Sequence, residues 1–191
     1  MAKQWQSTSA ACPGGVFMTE EQAGGRCSCT CGRVAATVRG KPILHAMCYC
    51  TSCRTAGLAF ALKSGAPSVV GSDGGTDLLL YRKDRVGRFT GGELLREHRL
   101  TPTSPTRRLV AACCNTPMFL EFTRGHWLSV YAGRVPGNVT PLEVRIMTGD
   151  RIDKTPLPND APSFATHSGK AMLKLLAAWA AMGFRKPKVE W

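Results

Sequence analysis

The sequence is poor in acidic residues and aromatics and has no long apolar run, and each shortage removes a class of function. Against 25 lysines and arginines stand 13 aspartates and glutamates, a net charge of +12. Such a balance suits acidic ligands, anionic lipid or nucleic acid, and it also describes an ordinary solvated basic surface. Aromatics make up only 7% of the chain. With no base-stacking motif and no run of five basic residues, nucleic acid is disfavoured as a partner. No stretch reaches the roughly 18–20 apolar residues of a membrane span, so no transmembrane segment is predicted. Met1–Gly15 lacks the charged start and apolar run of a secretory leader, and a cytoplasmic setting with reduced thiols is expected. The Gly74-Gly75 pair is not followed by the Lys-Ser/Thr of a phosphate loop. No Ser/His/Asp or paired-carboxylate arrangement can be drawn. Of the four histidines, His45 reads as a hydrogen-bonded strand residue, and His98, His126 and His167 carry no spacing signal.

Cysteine is plentiful. Six of the nine cysteines fall in Cys27-Ser28-Cys29-Thr30-Cys31-Gly32-Arg33-Val34 and Cys48-Tyr49-Cys50-Thr51-Ser52-Cys53-Arg54. In an extended strand, residues i and i+2 share a face, so Cys29 and Cys31 present two sulfurs together, as do Cys48 and Cys50. Cys53 comes back to them if the chain turns over Thr51 and Ser52. A third group, Cys113-Cys114-Asn115-Thr116-Pro117, carries the Asn and Pro of a turn at a strand end. Soft thiolates in this number point to zinc. Disulfides are disfavoured by the strand spacing, and an iron–sulfur cluster by the mismatch with ferredoxin runs. Cys12 reads as a free surface thiol.

The 191 residues, 43% of them hydrophobic, suffice for one globular domain with tails. Residues 1–23 read as a flexible N-terminal tail, 24–147 as a β domain, 148–167 as a Pro-rich loop, and 168–191 as a C-terminal helix and basic tail. Strands are predicted over 33–39 and Ile43–Met47, joined as a hairpin by Gly40-Lys41-Pro42. Further strands are predicted at Leu78–Tyr81, from His98, and over Arg107–Ala112, Met118–Phe122 and Trp127–Tyr131. After the Cys48–Cys53 trio, Gly57 suggests close backbone approach, with Phe60 and Leu62 in the core. Ser168–Gly183 is predicted as a helix, with Met172, Leu175, Leu176 and Trp179 on the face that packs on the β core. Its lysines and the following basic residues leave a partner or membrane-surface role open.

At its cysteine groups the sequence resembles the family of glutathione-dependent formaldehyde-activating enzymes and centromere protein V, and looks like a bacterial branch of it. The family pattern is roughly G-x-C-x-C-G-x-V, then C-H-C-x-x-C-R, then C-x-x-C-G-x-x-L. Cys29 and Cys31 match the first group, and Cys48, Cys50, Cys53 and Arg54 the second, with Tyr49 where the family has His. Cys114 matches the second cysteine of the third group, whose first falls on Ala111. The resemblance covers about residues 24–135, and the three groups in order are specific where any one alone is weak. It implies a mainly β (α+β) architecture, a Mss4-like zinc-binding antiparallel fold with a C-terminal helix. It implies two zinc ions. A closed structural site would be held by Cys29, Cys31, Cys114 and a fourth ligand, Cys113 or Cys27, with Cys113 favoured. An open site would be held by Cys48, Cys50 and Cys53, where glutathione or another thiol is handled and Arg54 holds an anionic group. The implied activity is that of a carbon–sulfur lyase acting on thiol–aldehyde adducts. The rival reading is a non-enzymatic zinc-stabilised binding module.

Overall fold

A computed structural model of the chain describes residues 24–137 and 140–191. The predicted tail and Cys12 lie outside the described residues. The elements are β1 (Gly25–Ser28), β2 (Ala35–Val38), β3 (Leu44–Cys48), α1 (Thr51–Ala61), β4 (Thr76–Arg82), β5 (Leu95–His98), β6 (Thr106–Ala111), β7 (Thr116–Phe122), β8 (Trp127–Tyr131), β9 (Val144–Ile146) and α2 (Gly169–Ala180). Seven strands form one sheet in the order β5-β6-β7-β8-β4-β3-β9, antiparallel except for the β3–β9 pair. Strands β1 and β2 form a separate antiparallel hairpin.

The sheet is buried on both faces, and strand alternation decides which residue goes where. In β4, Leu79 and Tyr81 join Cys27, Val34, Ala36 and Val38 of the hairpin side, together with Phe119, Leu128 and Val130. Leu78 and Leu80 face the other way, with Leu44 and Ala46 of β3, Ala56 and Phe60 of α1, and Ala171 and Leu175 of α2. The molecule is thus three layers: hairpin, sheet, helices. Lys83 and Glu121 form an ion pair buried at one end of the sheet. Near the C-terminus Val189 is buried, and Trp191 packs on Phe119 and beneath the Arg107 guanidinium.

Three sequence expectations change. The predicted hairpin of 33–39 with Ile43–Met47 does not form, because β2 pairs with β1 and β3 with β4 and β9. Val34, Ala36 and Val38 bury their side chains on one face of the large sheet, while Leu44 and Ala46 bury theirs on the other. The chain therefore crosses from one layer to the next between them, with Gly40 left-handed at φ 65°. Secondly, the segment after the trio is a helix. Cys53, Ala56, Gly57 and Phe60 are its buried residues, an i, i+3, i+4, i+7 set. Phe60 also meets the His98 ring edge-on, with ring centroids 5.0 Å apart. Gly57 does lie under a close neighbour, for a Cβ there would sit 2.2 Å from Val70 Cγ2. Leu62, read as core, is 89% exposed beyond the helix end.

Thirdly, the buried stripe of α2 is narrower than expected. Ser168 caps its start by accepting from the Ala171 amide at 3.4 Å. Ala171 and Leu175 are buried, whereas Met172 and Leu176 are about half exposed. Docking is completed by His126, which bonds the Leu175 carbonyl at 2.8 Å and stacks on Trp179. No helix among the described residues is long and apolar enough to cross a membrane. Leu175→Asp is expected to destabilise the fold by about 3 kcal/mol or more, since it places an unpaired charge under the helix. Leu176→Asp should change stability by no more than about 0.5 kcal/mol. Denaturant melts of the two variants check this, and equal effects would mean that the helix docks through a different face.

Candidate metal centres

Two groups of cysteine sulfurs converge: Cys29, Cys31, Cys113 and Cys114 in one, and Cys48, Cys50 and Cys53 in the other, each with all its sulfurs within 4.8 Å of one another. All eight described cysteines are free thiols.

The first group is built from two turns far apart in sequence. After β1 the chain folds back through Gly32, left-handed at φ 76°, with the Gly32 amide donating to the Cys29 carbonyl at 3.0 Å. The Val34 amide points at Cys29 Sγ, 3.3 Å away. Opposite lies the β6–β7 turn. Asn115 is left-handed there, at φ 53°, a conformation Asn tolerates better than most residues and one suited to the Gly of the family pattern. This bend lets the adjacent Cys113 and Cys114 face the same point, which a regular strand would forbid. Cys29 Sγ lies 3.6 Å from Cys31 Sγ and 3.8 Å from Cys113 Sγ, and Cys113 Sγ is 3.7 Å from Cys114 Sγ. A tetrahedral ion with sulfur arms of ~2.3 Å separates its ligands by about 3.8 Å, so the four sulfurs are already at coordination spacing. Cys27 is not among them: it is fully buried in the core, and burial pushes its thiol up to about 12. Two threonines tie the turns together beside the sulfurs. Thr30 and Thr116 share a hydroxyl–hydroxyl bond of 2.8 Å, and Thr116 Oγ1 lies 3.0 Å from Cys114 Sγ. Against desolvation, which raises it, hydrogen bonds from Thr116 and Thr30 together with the Cys31 amide and thiol hold Cys114 down, at about 5.

The second group is local. Cys48 ends β3, Cys50 is the N-cap of α1, and Cys53 lies in the first helical turn, its amide donating to Cys50 Sγ at 3.3 Å. The turn predicted over Thr51 and Ser52 is therefore the start of a helix, whose exposed amides favour an anionic sulfur. Asp150 accepts from the Thr51 amide at 3.0 Å and steadies that helix start. The three thiols share charge unequally. Cys50 is pulled far down by hydrogen bonds from Cys48 and Cys53. Cys48 is pushed up by its hydrogen bonds to Cys50 and Cys53 and by burial. Cys53 is raised to about 12, the favourable bond with Cys48 being outweighed by the bond to Cys50 and by desolvation. Arg108 adds positive charge next to Cys50 and Cys53. It is 1% exposed, and its Nη2 donates to Ser52 O at 3.1 Å and Ser52 Oγ at 2.8 Å.

The family model of the glutathione-dependent formaldehyde-activating enzyme matches residues 25–135, more than half of the chain. The chain belongs to that family. The mainly β architecture with a C-terminal helix expected from the sequence is the one the chain has. No curated protein matches the chain. Among solved structures, a crystal structure of a Rhodobacter sphaeroides protein is similar, at 14% identity and a TM-score of 0.42, over 73% of this chain and 99% of that one.

In this formaldehyde-activating-family chain the trio opens onto a cavity of 470 Å³, between the sheet face and α2. Cys48, Cys50 and Cys53 all line it, with Arg108. The volume falls in the range of about 300–1,000 Å³ usual for small-molecule sites. Arg54 does not line it. Its guanidinium is turned away, Nη1 donating to the Asp150 carbonyl at 2.9 Å. Tyr49, in the place of the family His, is also directed elsewhere, its hydroxyl donating to Asp73 Oδ2 at 2.6 Å. His45 bonds Asp77 Oδ1 at 2.6 Å and the Thr140 carbonyl at 2.7 Å, as a strand histidine should. Sequence reasoning missed Arg108, Thr116 and Asp150. For Arg108 a signal existed: it shares a face of an apolar strand with Val110, where a charge is out of place without a function.

Two predictions follow from this geometry. Only Cys50 is held low in the trio, so loading it with Zn²⁺ near pH 7 should release about two protons, and affinity should fall as pH is lowered. Calorimetry in buffers of different ionisation heat measures the proton count. Affinity independent of pH would mean that the three sulfurs do not all bind. Separately, Cys31→Ser should remove one metal and lower the melting temperature by roughly 6–12 °C, the equivalent of about 3 kcal/mol, because that site joins distant turns. Cys50→Ser should remove the other metal from a chain that still folds. Metal analysis with thermal melts compares the two variants, and equal destabilisation would make the trio structural as well.

Proposed function

We propose that the chain is a zinc-dependent carbon–sulfur lyase-like protein acting on thiol–aldehyde adducts. Cys29, Cys31, Cys113 and Cys114 would hold a structural zinc, and Cys48, Cys50 and Cys53 a second zinc with an exchangeable position. The observation that carries the reading is that all three sulfurs of the trio line one cavity while the other four close on one another. Three thiolates favour zinc and leave room for a fourth, exogenous ligand. Zinc bound there would supply a Lewis acid that favours the thiolate form of that ligand.

The chain's own residues do the rest. The first turn of α1 and the Arg108 guanidinium supply positive potential where a sulfur anion would sit. The largely apolar walls strengthen that field by lowering the local dielectric. The reaction is balanced without a redox partner. In breakdown of a hydroxyalkyl thioether, the carbon–sulfur bond breaks with its electron pair left on sulfur. The carbon–oxygen bond becomes a carbonyl, and the hydroxyl proton ends on the departing sulfur. Addition of a thiol to an aldehyde is the reverse.

The test is the rate of formation and breakdown of an aldehyde–thiol adduct with zinc-loaded protein, followed by NMR. Acceleration over buffer is expected, abolished by Cys50→Ser and reduced about tenfold by Arg108→Met through loss of the charge next to the sulfurs. A trio that holds zinc yet leaves the rate unchanged would make the chain a zinc-stabilised binding module instead.

A further inference from the structure

We propose that the outer face of α2 docks on the surface of an anionic lipid bilayer. This surface is separate from the chemistry of the trio and does not depend on it. A surface helix ordinarily turns polar residues to water opposite its buried stripe. Helix α2 does not. Ala171 and Leu175 are buried against the sheet, while the exposed residues fall in two adjacent rows, Met172-Leu176-Ala180 and Leu173-Ala177-Ala181. Members of each row are four apart and neighbours on the helix surface, so the rows make one continuous apolar patch. Leu173 is 66% exposed and Leu176 51%. Phe184 extends the patch past the helix end, itself exposed and edge-on to Trp179. Between residues 171 and 184 the single charged residue is Lys174, which is paired with Glu143.

Charge decides what covers this patch. Residues 161–189 contain no Asp or Glu. Lys170 at one end of the helix, and Arg185, Lys186 and Lys188 past the other, frame the patch and are all exposed. A second copy of the chain seated on this face would set its own cationic ends against these, whichever way the two helices ran. Anionic headgroups complement them instead, while the leucines, Met172 and Phe184 enter the boundary of the acyl chains, as in an interfacial helix.

The experiment sediments the zinc-loaded full chain with vesicles of phosphatidylcholine and with vesicles of phosphatidylcholine mixed with phosphatidylglycerol. The mixed vesicles are expected to bind it at least about tenfold more tightly, and added salt should erase most of that preference. Leu173→Gln combined with Leu176→Gln alters exposed positions, so the melting curve should hold while binding to the mixed vesicles falls about tenfold. Lys170→Gln combined with Lys188→Gln should weaken that binding by about tenfold or more, since each cation near such a surface is worth about a fivefold gain. Absence of binding to the mixed vesicles overturns the proposal. Binding that ignores the leucine pair also overturns it, because the chain would then adsorb through its basic surface at large. Sedimentation equilibrium without lipid supplies the last arm: a dimer that the leucine variant dissociates would mean that a second copy covers the face, and the bilayer reading would fall.

Discussion

Crowded sulfur is the constraint on which the rest of the structure depends. Seven thiols from three separated stretches come within coordination distance in two clusters. Brought together as thiols they compete for protons, so that Cys50 and Cys114 are driven toward the anion while Cys48, Cys53 and Cys113 are driven away from it. A divalent cation would resolve that competition by ionising every sulfur at once, and each cluster could hold one. The first cluster also does mechanical duty. It joins the β1–β2 hairpin to the β6–β7 turn, two pieces that share no strand pairing, and the Thr30–Thr116 bond backs it from the side.

The second cluster differs because of where the sheet puts it. Strand β3 pairs with β4 on one side and β9 on the other, so its end is deep in the molecule when the chain turns into α1. The alternation that sends Leu44 and Ala46 toward the helices sends Cys48 there too. Arg108 arrives from β6 on the same face by the same rule. Helix α2 then covers this face through Ala171 and Leu175, and the space left beneath it is the cavity. The sulfurs of one cluster close on one another and the other cluster looks into a chamber, although both are made of the same amino acid.

Several features were legible without coordinates. The convergence of Cys48, Cys50 and Cys53 rests on local geometry, a strand end running into a helical first turn, whereas Cys29 and Cys31 converge in the turn after β1 and not on the strand expected for them. The turn at Asn115 and the N-cap at Ser168 are likewise local. What failed were judgements that depend on partners. The pairing of β2 with β1 could not be read from a turn that looked like any hairpin connection. Helix α1 was hidden by a cysteine N-cap, an internal Gly57 and a stripe of small residues that does not look amphipathic. Met172, Leu176 and Leu62 are apolar enough for a core, and only the position of the sheet leaves them exposed.

The sequence by itself determined the chemistry: soft ligands in three groups, their order, and through them the family. Thiolate chemistry follows from residue type, and the small loops that carry it follow from short-range geometry. Tertiary structure alone decided that Cys113 joins the first cluster and Cys27 is buried in the core, that Arg108 and not Arg54 stands by the trio, and that an apolar chamber opens there. Those outcomes depend on which strands pair and which face a helix covers, and they involve residues tens of positions apart, for which local spacing carries no information.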